Sequence, residues 1–263
     1  CAERPPDMSG LPRVAPDAPH ACLVFCGAGG SSSLTRALVG AIRDADEAAG
    51  LERNSFEVPW CSARGPEWRA AYDGEAVGRH YAEAIATWRQ ERGLPPLESL
   101  HAVGISVGAF AADALAAAAA AGTGAAEGGY VRLTLLDPFT NRGLFGVGHG
   151  LRTFGEAATF CDHVLNTDDP VPSTNAPVAR AHVLDVTGAR ARREWAVPED
   201  EPRFLAGHSW PTAWFMQNLG SLLYAPGHGA EGAVAGRPQM RVGAGPSVVR
   251  THGEFPRGQV VRV

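Results

Sequence analysis

The sequence predicts an α/β protein: a mostly parallel sheet covered by helices on both faces. Three observations predict it. Short apolar runs recur along the chain, each ended by glycine, proline or aspartate, as strands buried on both faces do. Longer segments with apolar residues at helical spacing lie between them. The two kinds alternate, which is the pattern of strand–helix–strand units with right-handed crossovers. The chain of 263 residues suits one large domain or two small ones. Residues 20–224 hold all the alternating elements and read as one domain.

Residues 1–19 are polar and proline-rich and read as a linker. "ACLVFCGAGG" (21–30) is a first buried strand ended by glycines. "SSSLTRALVGAIRDADEAAG" follows as a capped helix, with serines at its start, Leu34, Leu38 and Ile42 at helical spacing, and glycine at its end. "SFEVPW" (55–60) is a second strand, ended at Pro59. Residues 75–93 form a helix with Val77, Tyr81, Ile85 and Trp88 on one face. "LHAVGI" (100–105) is a third strand, and an alanine-rich helix follows it directly. "YVRLTLLDPF" (130–139), "FCDHVLN" (160–166) and "AHVLDVT" (181–187) are the fourth to sixth strands, and 209–224 is the last helix, with Trp210 and Pro211 in its first turn. The tail 225–263 contains three valine-containing stretches that read as short strands, extending the sheet or packing on it.

The formal net charge is −5, acids and bases are mixed along the chain, and every base is arginine. No basic stripe is present, which argues against a nucleic-acid partner. Residues 102–121 have the length of a membrane span, but alanine dominates and Asp113 lies inside, so they do not read as one. The chain starts at Cys1 and runs on into "AERPPDMSGLPRVAPDAP". That resembles a mature bacterial lipoprotein, and implies an exported, envelope-associated protein held at a membrane surface by a lipidated Cys1, or otherwise a secreted one. Cys22, Cys26, Cys61 and Cys161 then remain, an even number that suits export. Their spacing shows no metal pattern. Cys22 and Cys26 are four apart on one strand, about 13 Å, too far to bridge each other.

Gly104-Ile105-Ser106-Val107-Gly108 joins the third strand to the alanine-rich helix. In a chain with 32 glycines such a pentad arises easily by chance, so its context carries the argument. A serine on a sharp strand-to-helix turn, flanked by glycines that permit close packing, presents its hydroxyl as a nucleophile. A serine hydroxyl needs a base. His208, after the sixth strand and just before the last helix, stands in the right place. The other candidates are weaker: His101, His163 and His182 sit in or beside strands, His20 and His80 precede Ser106, and His149 lies in a glycine-rich loop. The acid falls between serine and histidine, at Asp137 after the fourth strand or at Asp168 or Asp169 after the fifth. The backbone N–H groups of Val107 and Ala28 are the expected oxyanion donors. "GAGGSSS" lacks the lysine of a phosphate loop, and "GAGGSS" lacks the last glycine of a dinucleotide fingerprint. No cofactor or metal is implied.

Residues 21–218 resemble the lipase branch of the α/β-hydrolases, the pancreatic-lipase type. "FEVPWCSARGPEWRAAYDGEAVGRHYAEAIATW" looks like that family's strand, loop and helix before the nucleophile, "HAVGISVGA" like its elbow, "LTLLDP" like its acid segment, "CDHVLNTD" like the following strand and "GHSWPTAWF" like histidine segments of bacterial relatives. The resemblance implies an α/β-hydrolase fold with a short or absent lid, since only loop 139–159 is available to cover the site. It favours Asp137 over Asp168 and Asp169. It implies a serine carboxylic-ester hydrolase acting on small-molecule or lipid esters through an acyl-enzyme on Ser106, Asp137 and His208. The alternative is a catalytically decayed surface lipoprotein that serves as a binding or structural module. Two departures stand out: Ile105 replaces the usual histidine before the serine, and Cys26-Gly27 replaces the usual His-Gly after the first strand. They bear on long-chain lipid specificity rather than on the nucleophile. In such a sheet the strands ending at Cys26 and near Trp60 are parallel neighbours about 5 Å apart. Cys26 and Cys61 are therefore expected within bridging reach, with two buried free thiols as the alternative.

Overall fold

A computed structural model describes residues 7–63, 69–219, 240–242, 248–250 and 257–263. Its elements in order are β1 (His20–Phe25), α1 (Ser33–Ala48), β2 (Arg53–Val58), α2 (Ala70–Glu91), β3 (Leu97–Ile105), α3 (Gly108–Ala120), β4 (Ala125–Leu136), α4 (His149–Thr153), β5 (Phe160–Leu165), β6 (His182–Asp185), α5 (Ala206–Gln217), β7 (Met240–Val242), β8 (Val248–Arg250) and β9 (Val260–Arg262). Seven strands form one sheet in the order β2-β1-β3-β4-β5-β6-β9, and every pair in it is parallel. The α/β class expected from the alternation is the one observed.

Alternation along each strand distributes the core over two faces. Leu23, Phe25, Ala102, Leu133 and Leu135 pack with Val77 and Tyr81 of α2 and Phe110 and Leu115 of α3. Cys22, Val24, Val103, Leu136 and Val164 face the other way, with Leu38 and Ile42 of α1 and Trp210 and Phe215 of α5. The alanine run of α3 is explained by its neighbour. A side chain at Gly78 of α2 would put Cβ 2.2 Å from the Ala111 carbonyl oxygen, so the two helices meet almost backbone to backbone.

Boundaries moved where glycine or proline obscured the pattern. β4 begins at Ala125 rather than at 130, and its pairing with β3 shifts register between Leu97 and Ser99. Gly128 sits there at φ +73°, so a bulge hides the strand's start from an alternation test. α5 begins at Ala206, three residues before the expected start, and residues 220–224 of the expected helix lie outside the described residues.

Residues 7–19, read as linker, carry no helix, and part of the stretch packs against α2. Val14 and Ala18 are buried, the Tyr81 hydroxyl donates to the Pro12 carbonyl at 2.9 Å, and Arg89 Nη1 donates to the carbonyls of Pro16 (2.8 Å) and Ala18 (2.7 Å). At the other end β9 extends the sheet beside β6, and β7 and β8 form a separate antiparallel pair. No helix among the described residues is long and apolar enough to cross a membrane.

The strand order reverses at β1: the chain steps out to β2 and returns to β3 on the other side. Loops leaving β1 and β3 therefore diverge, and sheets of this kind form clefts there, at the C-terminal strand ends. Gly27–Gly30 follow β1 and Ser106 follows β3 at that place.

Candidate active site

Ser106 is one of three described non-glycine residues at positive φ, at 53°. An L-residue holds that conformation only when its surroundings fix it. Here the Ser106 N–H donates to the Leu136 carbonyl, and its own carbonyl accepts from Ala109 and Phe139 N–H, all at 3.1 Å. The flanking glycines are required by contact. A Cβ at Gly104 would lie 2.5 Å from Ala109 Cα, and one at Gly108 would lie 2.4 Å from the Phe25 carbonyl oxygen. A turn this tight lifts the serine out of the sheet into the cleft, while the α3 N-terminus starts at once behind it.

His208 sits in the first turn of α5, inside the helix rather than before it. Pro211, also inside α5, has no N–H to give to the Gly207 carbonyl. That carbonyl accepts instead from Asn166 Nδ2 at 2.8 Å, so the histidine-bearing turn is tied to the end of β5. The Asn166 N–H in turn donates to Asp137 Oδ1 at 3.2 Å. Both candidate acids reach the imidazole. His208 Nδ1 is 2.7 Å from Asp137 Oδ2 and 2.7 Å from Asp169 Oδ2, and both carboxylates are buried. Asp137, like Ser106, has positive φ (47°), held by its N–H bond to the Val164 carbonyl.

The electrostatics follow from burial and these contacts. Burial drives Asp137 well above the usual carboxylate range, with its neighbour Asp169 adding to the rise. Asp169 is also buried, yet hydrogen bonds with His208, Asp137 and the Val171 N–H pull it below that range. Burial opposes charge on His208, but hydrogen bonds to the two aspartates outweigh it and raise the imidazole to about 9. The donor atoms of Asp137, Asp169 and His208 lie within 4.8 Å of one another.

Ser106, His208, Ala28 and Val107 line a single cleft of about 560 Å³. No hydrogen bond joins Ser106 Oγ to His208 among the described residues; in unliganded sites such contacts commonly tighten only with substrate. The Ala28 amide is set from behind. Its peptide carbonyl, Gly27 O, accepts from Cys61 Sγ at 2.9 Å and from the Gly30 N–H at 3.1 Å. Trp60 Nε1 holds the preceding carbonyl, Cys26 O, at 2.7 Å. A trans peptide points N–H opposite to C=O, so the Ala28 N–H turns away from these contacts.

Other expectations fare differently. Asp168 is not at the imidazole: it pairs with Arg192 through two bonds of 2.9 and 2.8 Å at the surface. Cys26 and Cys61 are not bridged to each other: Cys26 Sγ donates to Glu57 Oε1 at 3.6 Å and Cys61 Sγ to Gly27 O, and no disulfide joins Cys22, Cys26, Cys61 and Cys161. Cys1 lies outside the described residues. His101 bonds Thr134 at 2.9 Å, and burial pushes His163 down to about 3, so both belong to the core. His149 stacks on Phe110 away from the cleft. Of loop 139–159 only Phe139 lines the cleft; the wall comes from Asp200, Glu201, Pro202 and Leu205, which sequence reasoning missed. Asp200 receives the N–H of Ser33 at the α1 start (2.7 Å), and Glu201 receives the Ser209 hydroxyl (2.8 Å). Three consecutive acids, Glu199 to Glu201, shortly before a helix were the available signal. No protein-family model matches the chain, and no curated protein matches it.

Proposed function

We propose that the protein is a serine carboxylic-ester hydrolase of the α/β-hydrolase kind. One observation carries the reading: Ser106, on a strained glycine-flanked turn, shares a cleft with an imidazole whose Nδ1 is held by buried carboxylates. That leaves His208 Nε2 to take the Ser106 proton as Oγ attacks the ester carbonyl. The Val107 and Ala28 N–H groups receive the oxyanion. Protonated His208 then gives its proton to the leaving alcohol, and water releases the acyl group by the same steps in reverse.

A fluorophosphonate probe and a series of p-nitrophenyl esters of rising chain length test the reading. Folded wild-type protein should be labelled at Ser106 and hydrolyse the esters that fit the cleft. Ser106→Ala and His208→Ala should each lose about four or more orders of magnitude in kcat. Near wild-type turnover in folded Ser106→Ala, or no labelling of folded wild type, would sink the proposal and leave a binding or structural module in its place.

A further inference from the structure

We propose that Asp137 and Asp169 act as one carboxylate pair holding a single proton and a single negative charge, Asp169 being the ionised partner of His208 and Asp137 a protonated positioning residue. Its kinetic part rests on the ester-hydrolase reading; its spectroscopic part does not.

The geometry comes first. One imidazole nitrogen, with one hydrogen to give, lies 2.7 Å from an oxygen of each aspartate. The two carboxyl side chains are almost wholly shielded from water, at 1% and 0% exposure. Two carboxylates brought this close to one atom in a dry site do not both ionise; one keeps a proton and gives it to the other.

The surrounding donors decide which one. Asp169 Oδ1 accepts the Val171 N–H at 2.8 Å, and the Thr174 hydroxyl lies 2.8 Å from Oδ2. Asn175 Nδ2 ties down the Asp169 carbonyl at 2.8 Å. Apart from the His208 contact that the two aspartates share, Asp137 has only the longer Asn166 N–H bond among the described residues, at 3.2 Å. Donors favour the charged form of the group they serve, so the charge settles on Asp169. The other ionisable groups nearby are committed elsewhere: Asp168 to Arg192, and Glu201 to the Ser209 hydroxyl. Asp137 then serves as a hydrogen-bond donor to Asp169 that also anchors the Asn166 turn. Asparagine can fill both roles, because its amide donates on one side and accepts on the other.

The test is infrared difference spectroscopy of the full chain at pH 8, joined to kinetics. Asp113, pushed up to about 7 by burial, is the other acid to control for, through Asp113→Asn. Wild type should show a protonated-carboxyl C=O band that survives in Asp113→Asn and disappears in Asp137→Asn. Asp169→Asn should also lose it, since Asp137 then ionises and takes over. In kinetics Asp137→Asn should stay within about tenfold of wild type, Asp169→Asn should fall by roughly 10- to 100-fold, and the double variant by about 10⁴-fold. The rise of kcat/KM with pH, set by His208, should stay in place in Asp137→Asn and move to lower pH in the double variant. No band in wild type, or a band that persists in Asp137→Asn, overturns the proposal. So does an Asp137→Asn loss as large as that of the double variant. If Asp169→Asn fails to fold, wild type and Asp137→Asn still decide. If wild type hydrolyses no ester, the functional reading fails while the infrared result judges the pair on its own.

Discussion

At the scale of single residues, His208 sets the pH behaviour. A general base must be neutral to accept a proton. Burial opposes charge on the imidazole, but the Asp137–Asp169 pair at 2.7 Å outweighs it and raises His208 to about 9, above its ordinary 6.5. The free protein at neutral pH therefore holds His208 mostly in the wrong form for attack. With an uncharged ester, kcat/KM is expected to climb as pH rises from 7, to reach half its maximum near 9 and to level off above it. A stopped-assay pH profile checks this. A limb centred near 6.5 would mean that the carboxylates do not hold the proton on His208.

At the scale of elements, the position of His208 depends on a defect in a helix. Pro211 leaves the Gly207 carbonyl without its i+4 donor, and Asn166 fills that vacancy at 2.8 Å. One residue thus joins α5 to β5 through its side chain and reaches Asp137 through its backbone N–H. Asn166→Ala removes the side-chain part of this tie and leaves the half-buried Gly207 carbonyl without that donor. Catalytic groups misplaced by an ångström lose up to about 10²-fold in rate. Asn166→Ala is therefore expected to lower kcat by roughly 10- to 100-fold with little change in KM. Steady-state kinetics on the folded variant would show it, and an unchanged kcat would mean that packing around Trp210 alone holds the turn.

At the scale of the whole molecule, the sheet ends on a strand contributed by the far C-terminus. β9 pairs with β6 from Val183 to Asp185, and Arg257 donates to the carbonyls of Gly155, Ala158 and Thr159. Deleting residues 257–263 removes these bonds and bares the edge of β6, a template for pairing with another chain. A fall in Tm of roughly 5 °C is expected for a loss of one to two kcal/mol in a chain of this size, together with concentration-dependent light scattering. A Tm equal to that of the full chain would show that β9 contributes nothing to the fold.

The sequence by itself determined the α/β class, the order of strands and helices, and the residues to watch. Those signals are local: apolar runs ended by glycine, helical spacing, and a serine between two glycines at a strand–helix junction. Hydrophobic period and turn chemistry act over a few residues, so they are legible one segment at a time. The contacts of the site were not legible in this way. Asp137, Asp168 and Asp169 read alike in their local sequence, because each follows a strand and precedes proline within two residues or fewer, and it was the family resemblance that favoured Asp137. The tertiary structure decided their contacts, sending Asp168 to Arg192 and bringing Asp137 and Asp169 together on one nitrogen of His208. The cleft wall at Asp200 to Leu205 and the packing of residues 12–18 on α2 were settled there too. The reason is physical: which carboxylate is desolvated, and which donors reach it, depends on chain segments 24 to 71 residues apart that meet only when the sheet closes over its helices.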